Sequence, residues 1–330
     1  MHGPTIETFS GRRQLRRKVH GIAAALLPFN ADGKIAVEAF QQHLRGTHRA
    51  GLTNAVNMDT GYVNLLTESE KLDVLRWTRE ALGANVPFIA GAYIEEQGGD
   101  VITLYRRQME FIAKAGAIPI LFQTERLHGK SSPEKAHVYR TICQGYTEVL
   151  AFELSPRFAR NGEIFDTETF LRLMEIPAIK GLKHSSLDRL LELERLRLRD
   201  QHRPQCSIYS GNDLGIDMIE YGSDYLLGLA TFAPEKFADR DKLWELGDPA
   251  YYQVSDALQN LGNISFRDPL PAYKHSAAVF LYATGSIPTP LSHPRSATRP
   301  SWEIEILQDC AIRLGLPLKH KTMESTVLTT

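Results

Sequence analysis

Cysteine is nearly absent from this sequence: Cys143, Cys206 and Cys310 stand far apart in 330 residues. Their spacing matches no metal-ligand or redox motif, which excludes a zinc cluster or a disulfide framework and makes a reduced, cytoplasmic setting the expectation. Long apolar runs are missing as well. No stretch approaches the roughly 18 apolar residues of a membrane span. Pro4, Glu7 and the arginines after them interrupt anything like the apolar core of a secretory leader. Charge of one sign is also lacking, since 38 Lys and Arg face 39 Asp and Glu for a formal net charge of -1. Such a chain has no global field to draw nucleic acid or an anionic membrane, so neither is expected as a partner. Only Arg12, Arg13, Arg16, Arg17 and Lys18 cluster by sign. Residues 1–19 therefore read as a solvated basic arm.

What is present is alternation. Gly21 to Leu27 is short, almost wholly apolar and ended by Pro28, as a buried strand should be. Val37 to Ala50 then carries Val37, Phe40 and Leu44 at helical spacing. Thr67 with Glu70 forms a capping-box signature ahead of Leu72, Leu75 and Trp77, which starts a second helix. Further strands are expected at Leu52–Met58, Pro87–Ala92, Ile118–Phe122, Glu148–Leu154, Ala178–Lys183, Cys206–Tyr209 and Tyr225–Ala230. Helices are expected between them, among them Asp100–Ala115, Asp166–Met174 and Leu187–Arg199. Eight strands at intervals of about 30 residues suit βα units. Strict alternation implies parallel strands with helices outside. A doubly wound open sheet is the rival, but no Gly-x-Gly-x-x-Gly follows the first strand. The expected fold is α/β, a (β/α)8 TIM barrel over residues 20–234. A helical appendage follows over 235–318, broken by several prolines between Pro249 and Pro300, and then a frayed tail over 319–330.

In such a barrel, functional groups come from the C-terminal ends of the strands. Those ends offer Asp59, Thr60 and Gly61, then Glu153, then Lys183 and His184, then Ser210, Gly211, Asn212 and Asp213. Strand alternation puts Ile179, Gly181 and Lys183 on one face. If that face is the interior, desolvation lowers the Lys183 pKa and leaves a nucleophilic amine; otherwise Lys183 is a strand-end lysine reaching back to water. Asp59-Thr60-Gly61 could hold a small anion through the Thr hydroxyl and backbone N–H groups, or be a plain turn with a local cap. Glu153 lies in an apolar run, where a charge needs a partner or a function. His184 is expected to point out of the barrel by the same alternation.

Taken in order, these fragments resemble the dihydrodipicolinate synthase / N-acetylneuraminate lyase family. Gly21 to Gly33 is similar to its first strand and loop, ALxTPF followed by DG. Met58-Asp59-Thr60-Gly61-Tyr62 falls where the family has GTTGE. Gly181-Leu182-Lys183 matches the GxK of its imine-forming lysine, and Tyr209 to Asp213 resembles its SGxD segment. Pro271-Ala272-Tyr273-Lys274 and Ile287 to Pro290 resemble its C-terminal helical region. The resemblance implies a soluble homo-oligomer, dimer or tetramer, that uses no cofactor and forms a Schiff base between Lys183 and pyruvate or another 2-oxo acid. It also implies that Thr60, Gly61, Arg160, Ser210 and Gly211 contact that substrate.

The departures from the pattern lie in proton transfer. The first Thr of GTTGE is Asp59 here. The relay tyrosine of a YNxP strand is replaced by Glu153, counted back from Pro156, and no aromatic partner is visible in Phe122-Gln123-Thr124-Glu125. Glu153, with Asp59, is accordingly expected to take the tyrosine's place in a divergent aldolase or hydratase-aldolase. Two other readings stay open. One is a divalent-metal aldolase or isomerase built on Asp59, Glu153, His184 and Asp213. The other is a binder of 2-oxo or sugar acids without catalysis.

Overall fold

A computed structural model describes residues 12–95 and 97–320. Eight parallel strands close on themselves in chain order: β1 (Gly21–Ala24), β2 (Thr53–Val56), β3 (Ile89–Ala92), β4 (Ile118–Leu121), β5 (Val149–Leu154), β6 (Ile179–Ser185), β7 (Ser207–Ser210) and β8 (Asp224–Leu227). Ile22 of β1 pairs with Thr53 on one side and Leu226 on the other, which closes the ring. The outer helices are α1 (Val37–Arg49), α2 (Glu68–Leu82), α3 (Val101–Lys114), α4 (Ser132–Ile142), α5 (Thr167–Met174) and α6 (Arg189–His202). A 3-10 turn at Ile216–Tyr221 replaces a helix between β7 and β8, and α7 (Pro234–Leu246) follows β8 and packs on β1 and α1. Beyond it lie α8 (Ala250–Ser265), α9 (Tyr273–Ala283) and α10 (Glu303–Arg313). The TIM barrel expected from alternation is the fold. Among the described residues, no helix is long and apolar enough to cross a membrane.

Local chemistry explains the elements. Thr67 and Glu70 form the reciprocal capping box at α2, and Asp100 and Asp166 cap α3 and α5 through the backbone N–H groups of Thr103 and Thr169. Two apolar layers result. One lies between sheet and helices. The other fills the barrel with Ile22, Ala55, Ile89, Ile120, Leu150 and Leu226.

Which face a residue takes is set by register. Between β5 and β6 the pairing steps from Val149↔Ile179 to Leu150↔Gly181, so Lys180 is an extra, exposed residue. Ile179 therefore packs in the outer layer, and the interior run is Gly181 and Lys183. This corrects the expectation that Ile179 shares the face of Lys183, while leaving Lys183 inside.

The basic arm is not simply solvated. Arg13 pairs with Glu220 at 2.9 Å, and Arg17 pairs with Asp224 at 2.9 Å and bonds the Ile219 carbonyl at 3.1 Å. These contacts fasten it beneath the β7–β8 connection. Residues 1–11 of the arm and 321–330 of the expected tail lie outside the described residues; Lys319 and His320 dock on the end of α9.

Close packing inside the barrel makes one glycine obligatory. A Cβ on Gly91 would lie 2.1 Å from the Asn57 carbonyl oxygen, a backbone atom that cannot swing aside. Gly91→Ala is expected to destabilise the protein by about 1–3 kcal/mol or more, visible as a lower urea midpoint at unchanged slope.

Candidate active site

Lys183 sits near the C-terminal end of β6, on the inner wall, 8% exposed. Its Nζ lies 4.5 Å from the centroid of the Phe152 ring, directly across the β5–β6 pairing. Burial drives the Lys183 amine down to about 8, against the pull of Asp213 and Asp59, which favour the charged form. Gly211, after β7, clears the space for the lysine stem: a Cβ there would fall 2.8 Å from Lys183 Cε and 1.9 Å from Ser185 Oγ. Ser185, next on the inner face, is buried, and its hydroxyl has no hydrogen-bond partner. Asp213 is buried beside them, accepting the Leu229 N–H at 2.7 Å, and burial raises its pKa although Lys183 pulls the other way.

The turn after β2 supplies the opposite wall. Asp59–Gly61 forms one 3-10 turn, with Tyr62 in the left-handed region at its end. Thr60 Oγ1 lies 2.8 Å from the Tyr273 hydroxyl, which donates to Asp59 Oδ2 at 2.9 Å. Lys274 Nζ pairs with Asp59 Oδ1 at 3.0 Å. Tyr273 and Lys274 open α9, so the C-terminal helices reach into the mouth of the barrel. A Cβ on Gly228, after β8, would touch both Tyr273 and Thr60, at 3.1 and 3.2 Å.

Glu153 lies elsewhere. It points outward from β5 into the layer under α6 and is fully buried. Arg195 grips it with two bonds, 2.8 Å to Oε1 and 3.1 Å to Oε2. The Phe165 N–H donates to Oε2 at 3.0 Å, and His184 Nδ1 lies 2.6 Å from Oε1. Burial would raise this carboxyl, but His184 and Arg195 outweigh it and hold it down to about 2. An ionised carboxylate has no proton to donate, so His184 carries one on Nδ1, and its Nε2 lies 2.6 Å from Ser186 Oγ. Serine, histidine and glutamate thus stand in line, but Arg195 neutralises the acid and the Asp188 N–H holds Ser186 Oγ at 2.9 Å in a turn. The row is a clamp between β5, β6 and α6.

The model of the dihydrodipicolinate synthetase family matches residues 18–277. The chain belongs to that family. A 4-hydroxy-tetrahydrodipicolinate synthase of Kosmotoga olearia is 23% identical over 297 residues, covering 88% of this chain and 97% of the relative. The dihydrodipicolinate synthase of Thermotoga maritima superposes with a TM-score of 0.76 at 19% identity, over 91% of this chain and 100% of that one. YagE, an E. coli prophage protein of the same family solved in complex with pyruvate, gives a TM-score of 0.77 at 16% identity, over 91% and 99%. The resemblance read from the motifs is borne out. The chain is a lyase-type enzyme of the dihydrodipicolinate synthetase family, and that membership supports an aldolase-type activity.

Of the residues singled out in the sequence, the fold brings Lys183, Gly211, Asp59, Thr60 and Gly61 to one end of the barrel. It places Asp213 there too, and separates Glu153, His184, Ser210 and Arg160 from them. Glu153 is on the wrong side of the sheet, because Phe152 and not Glu153 is the inward residue paired with Lys183. Ser210 also faces out, its hydroxyl donating to Glu192 of α6 at 3.1 Å. Arg160 is 91% exposed in its side chain and pairs with Glu125 at 2.7 Å, away from the interior. The metal reading loses its ligand set as well, since Glu153 and His184 bind each other behind β5 and β6 while Asp59 binds Lys274. Among the described residues, no three His, Cys, Asp or Glu cluster as a metal site would require. Tyr273, Lys274, Phe152 and Ser185 were not foreseen. Alternation across the β5–β6 pair was the signal for Phe152; α9 carries no local signal that it folds over the barrel mouth.

Breaking the clamp tests whether Glu153 is structural. Glu153→Gln leaves Arg195 buried without its counter-charge, a change worth roughly 3–5 kcal/mol. A large drop in melting temperature is expected, with the protein that remains folded keeping its reactivity at Lys183.

Proposed function

We propose that this protein is a class I, Schiff-base lyase that acts on pyruvate or another 2-oxo acid through Lys183. One observation carries the reading: Lys183 is the buried lysine on the inner wall at the C-terminal end of β6, its amine lowered by burial toward the free base that imine formation requires. The neutral amine attacks the C2 carbonyl carbon, water leaves, and the protonated imine draws the electron pair of the breaking or forming bond at C3. Asp213, beside the amine and raised by burial, is suited to give a proton to the departing hydroxyl. The turn at Thr60 and Gly61 stands across the mouth from the amine, where the backbone N–H of Thr60, rather than its hydroxyl, suits the substrate carboxylate. The unpartnered Ser185 hydroxyl, one step beyond Lys183 on the same face, suits a substrate oxygen.

Incubation with pyruvate and borohydride, followed by peptide mapping, tests this directly. A reduced adduct is expected on Lys183 and on no other lysine, and it should vanish in Lys183→Ala. An unmodified protein, with pyruvate and then with longer 2-oxo acids, would refute the assignment.

The lowered amine also sets a pH dependence. Below a pKa of about 8 the lysine is mostly ammonium and cannot attack. The rate of adduct formation should therefore rise about tenfold per pH unit up to about pH 8 and level off above it. A lysine with its ordinary pKa would instead keep gaining rate well beyond pH 9.

A further inference from the structure

The imine described above creates a demand that the inner wall of β5 does not meet. Its electron pair at C3 must exchange a proton with some group, and the side chain facing Lys183 from β5 is Phe152, which has none to give. A hydroxyl chain lies across the mouth instead, and its members are all buried or nearly so: Thr60, Tyr273 and the Asp59 carboxylate.

We propose that Thr60, Tyr273 and Asp59 form a proton wire, with α9 supplying the middle hydroxyl, that moves a proton between C3 of the Lys183 imine and Asp59. The proposal rests on the imine reading and adds the step that follows it. Tyr273 has one hydroxyl proton, and it is donated to Asp59 Oδ2 at 2.9 Å. The 2.8 Å contact between Tyr273 and Thr60 must then use the Thr60 proton, so Thr60 Oγ1 is left presenting lone pairs. In this ordering the inner end of the wire is an acceptor.

The reverse ordering needs one proton on Asp59: Asp59 then donates to Tyr273, Tyr273 to Thr60, and Thr60 outward. Passing between the two orderings is the transfer. Thr60 Oγ1 takes a proton from C3 as its own passes to Tyr273 and that of Tyr273 passes to Asp59. The C3–H electron pair becomes the C2–C3 double bond, and the C2–N π pair returns to nitrogen. A cationic imine and an anionic carboxylate become a neutral enamine and a carboxylic acid. The reverse returns the proton to C3 after carbon–carbon cleavage.

Four features of the structure fit such a wire. Tyr273 is fixed by stacking on Phe266, with ring centroids 4.4 Å apart and planes 18° apart, so its hydroxyl is held between both partners. Gly228 at the end of β8 leaves room for Tyr273 and Thr60 together. Lys183 and Tyr273 each sense the Asp59 charge, which places wire and amine in one electrostatic environment. Lys274, on Asp59 Oδ1, leaves Oδ2 to the tyrosine. Thr60 is the group at the reacting carbon; Tyr273 and Asp59 act through it as positioning residues.

The test separates imine formation from proton transfer. Full-length protein is incubated with pyruvate in D2O, and deuterium entry into the methyl group is followed by NMR, alongside borohydride trapping. Tyr273→Phe keeps the ring stack but breaks the wire. It should trap on Lys183 as the parent does, while exchange falls at least about 100-fold, the scale of one acid–base group. Asp59→Asn, which still accepts from Tyr273 but cannot take a proton, should show the same split. Its result decides if the melting curve shows Tyr273→Phe unfolded. Exchange at the parent rate in either folded variant would overturn the wire and leave the imine standing. Loss of trapping together with exchange would also overturn it, because the hydroxyl would then serve carboxylate binding. A parent protein that never traps would overturn the imine and the wire together.

Discussion

An ammonium group on the inner wall of a closed barrel has lost most of its water, and the whole site is arranged around that loss. Transfer of the Lys183 charge into this setting is opposed by desolvation, and only Asp213 and Asp59 offset it. Each of those carboxylates is already engaged. Asp213 is held by the Leu229 N–H, and Asp59 is paired with Lys274. The amine therefore feels attraction without an ion pair of its own. A carboxylate bonded directly to Lys183 would hold it charged and unreactive. The absence of any side chain at Gly211 belongs to the same arrangement, since it lets the lysine stem run along the wall to its place.

Behind the wall stands a second charged layer with the opposite purpose. Glu153, His184 and Arg195 satisfy one another, and Glu192 accepts from Ser210 at 3.1 Å and from Ser223 at 2.7 Å. These groups are as buried as Lys183, yet nearly every bonding direction is filled. A filled buried network rigidifies its elements, and this one pins β5, β6 and β7 to α6 at the height of the lysine. The two layers differ by strand parity alone. Inward residues are left with unmet valence, as the lone Ser185 hydroxyl shows, and their outward neighbours have none to spare.

That parity explains what the sequence disclosed and what it concealed. The barrel was legible because eight apolar runs and the helices between them repeat at the βα period, and the capping box at Thr67 marks its helix without tertiary help. Lys183 was legible because a GxK at a strand end is a local signal. Glu153 misled because it was counted back from Pro156 rather than across from Lys183. The residue abreast of the lysine is Phe152, one place earlier in the strand. Ile179 misled for a related reason, since the unpaired Lys180 reverses parity at the start of β6. Ser210 and Arg160 were assigned by motif alone, with no account of the direction in which each side chain leaves the backbone. Tyr273 and Lys274 could not be placed on the site at all: they lie more than 200 residues from Asp59 in sequence, |i−j| being 214 and 215 for the two contacts.

The contact between α9 and the turn at Asp59 changes what the C-terminal helices are for. An appendage that only covered apolar surface would present apolar residues to the barrel, and much of α9 does so with Ala277, Ala278, Val279 and Phe280. Its first two residues present a hydroxyl and an ammonium instead, and both go to one carboxylate. Asp59 is a carboxylate at the barrel mouth, which is costly unless it is answered. Lys274 answers its charge and Tyr273 its second oxygen, so Asp59 makes sense only together with α9. The carboxylate after β2 and the tyrosine from outside the barrel are then two parts of one arrangement, across the mouth from Lys183.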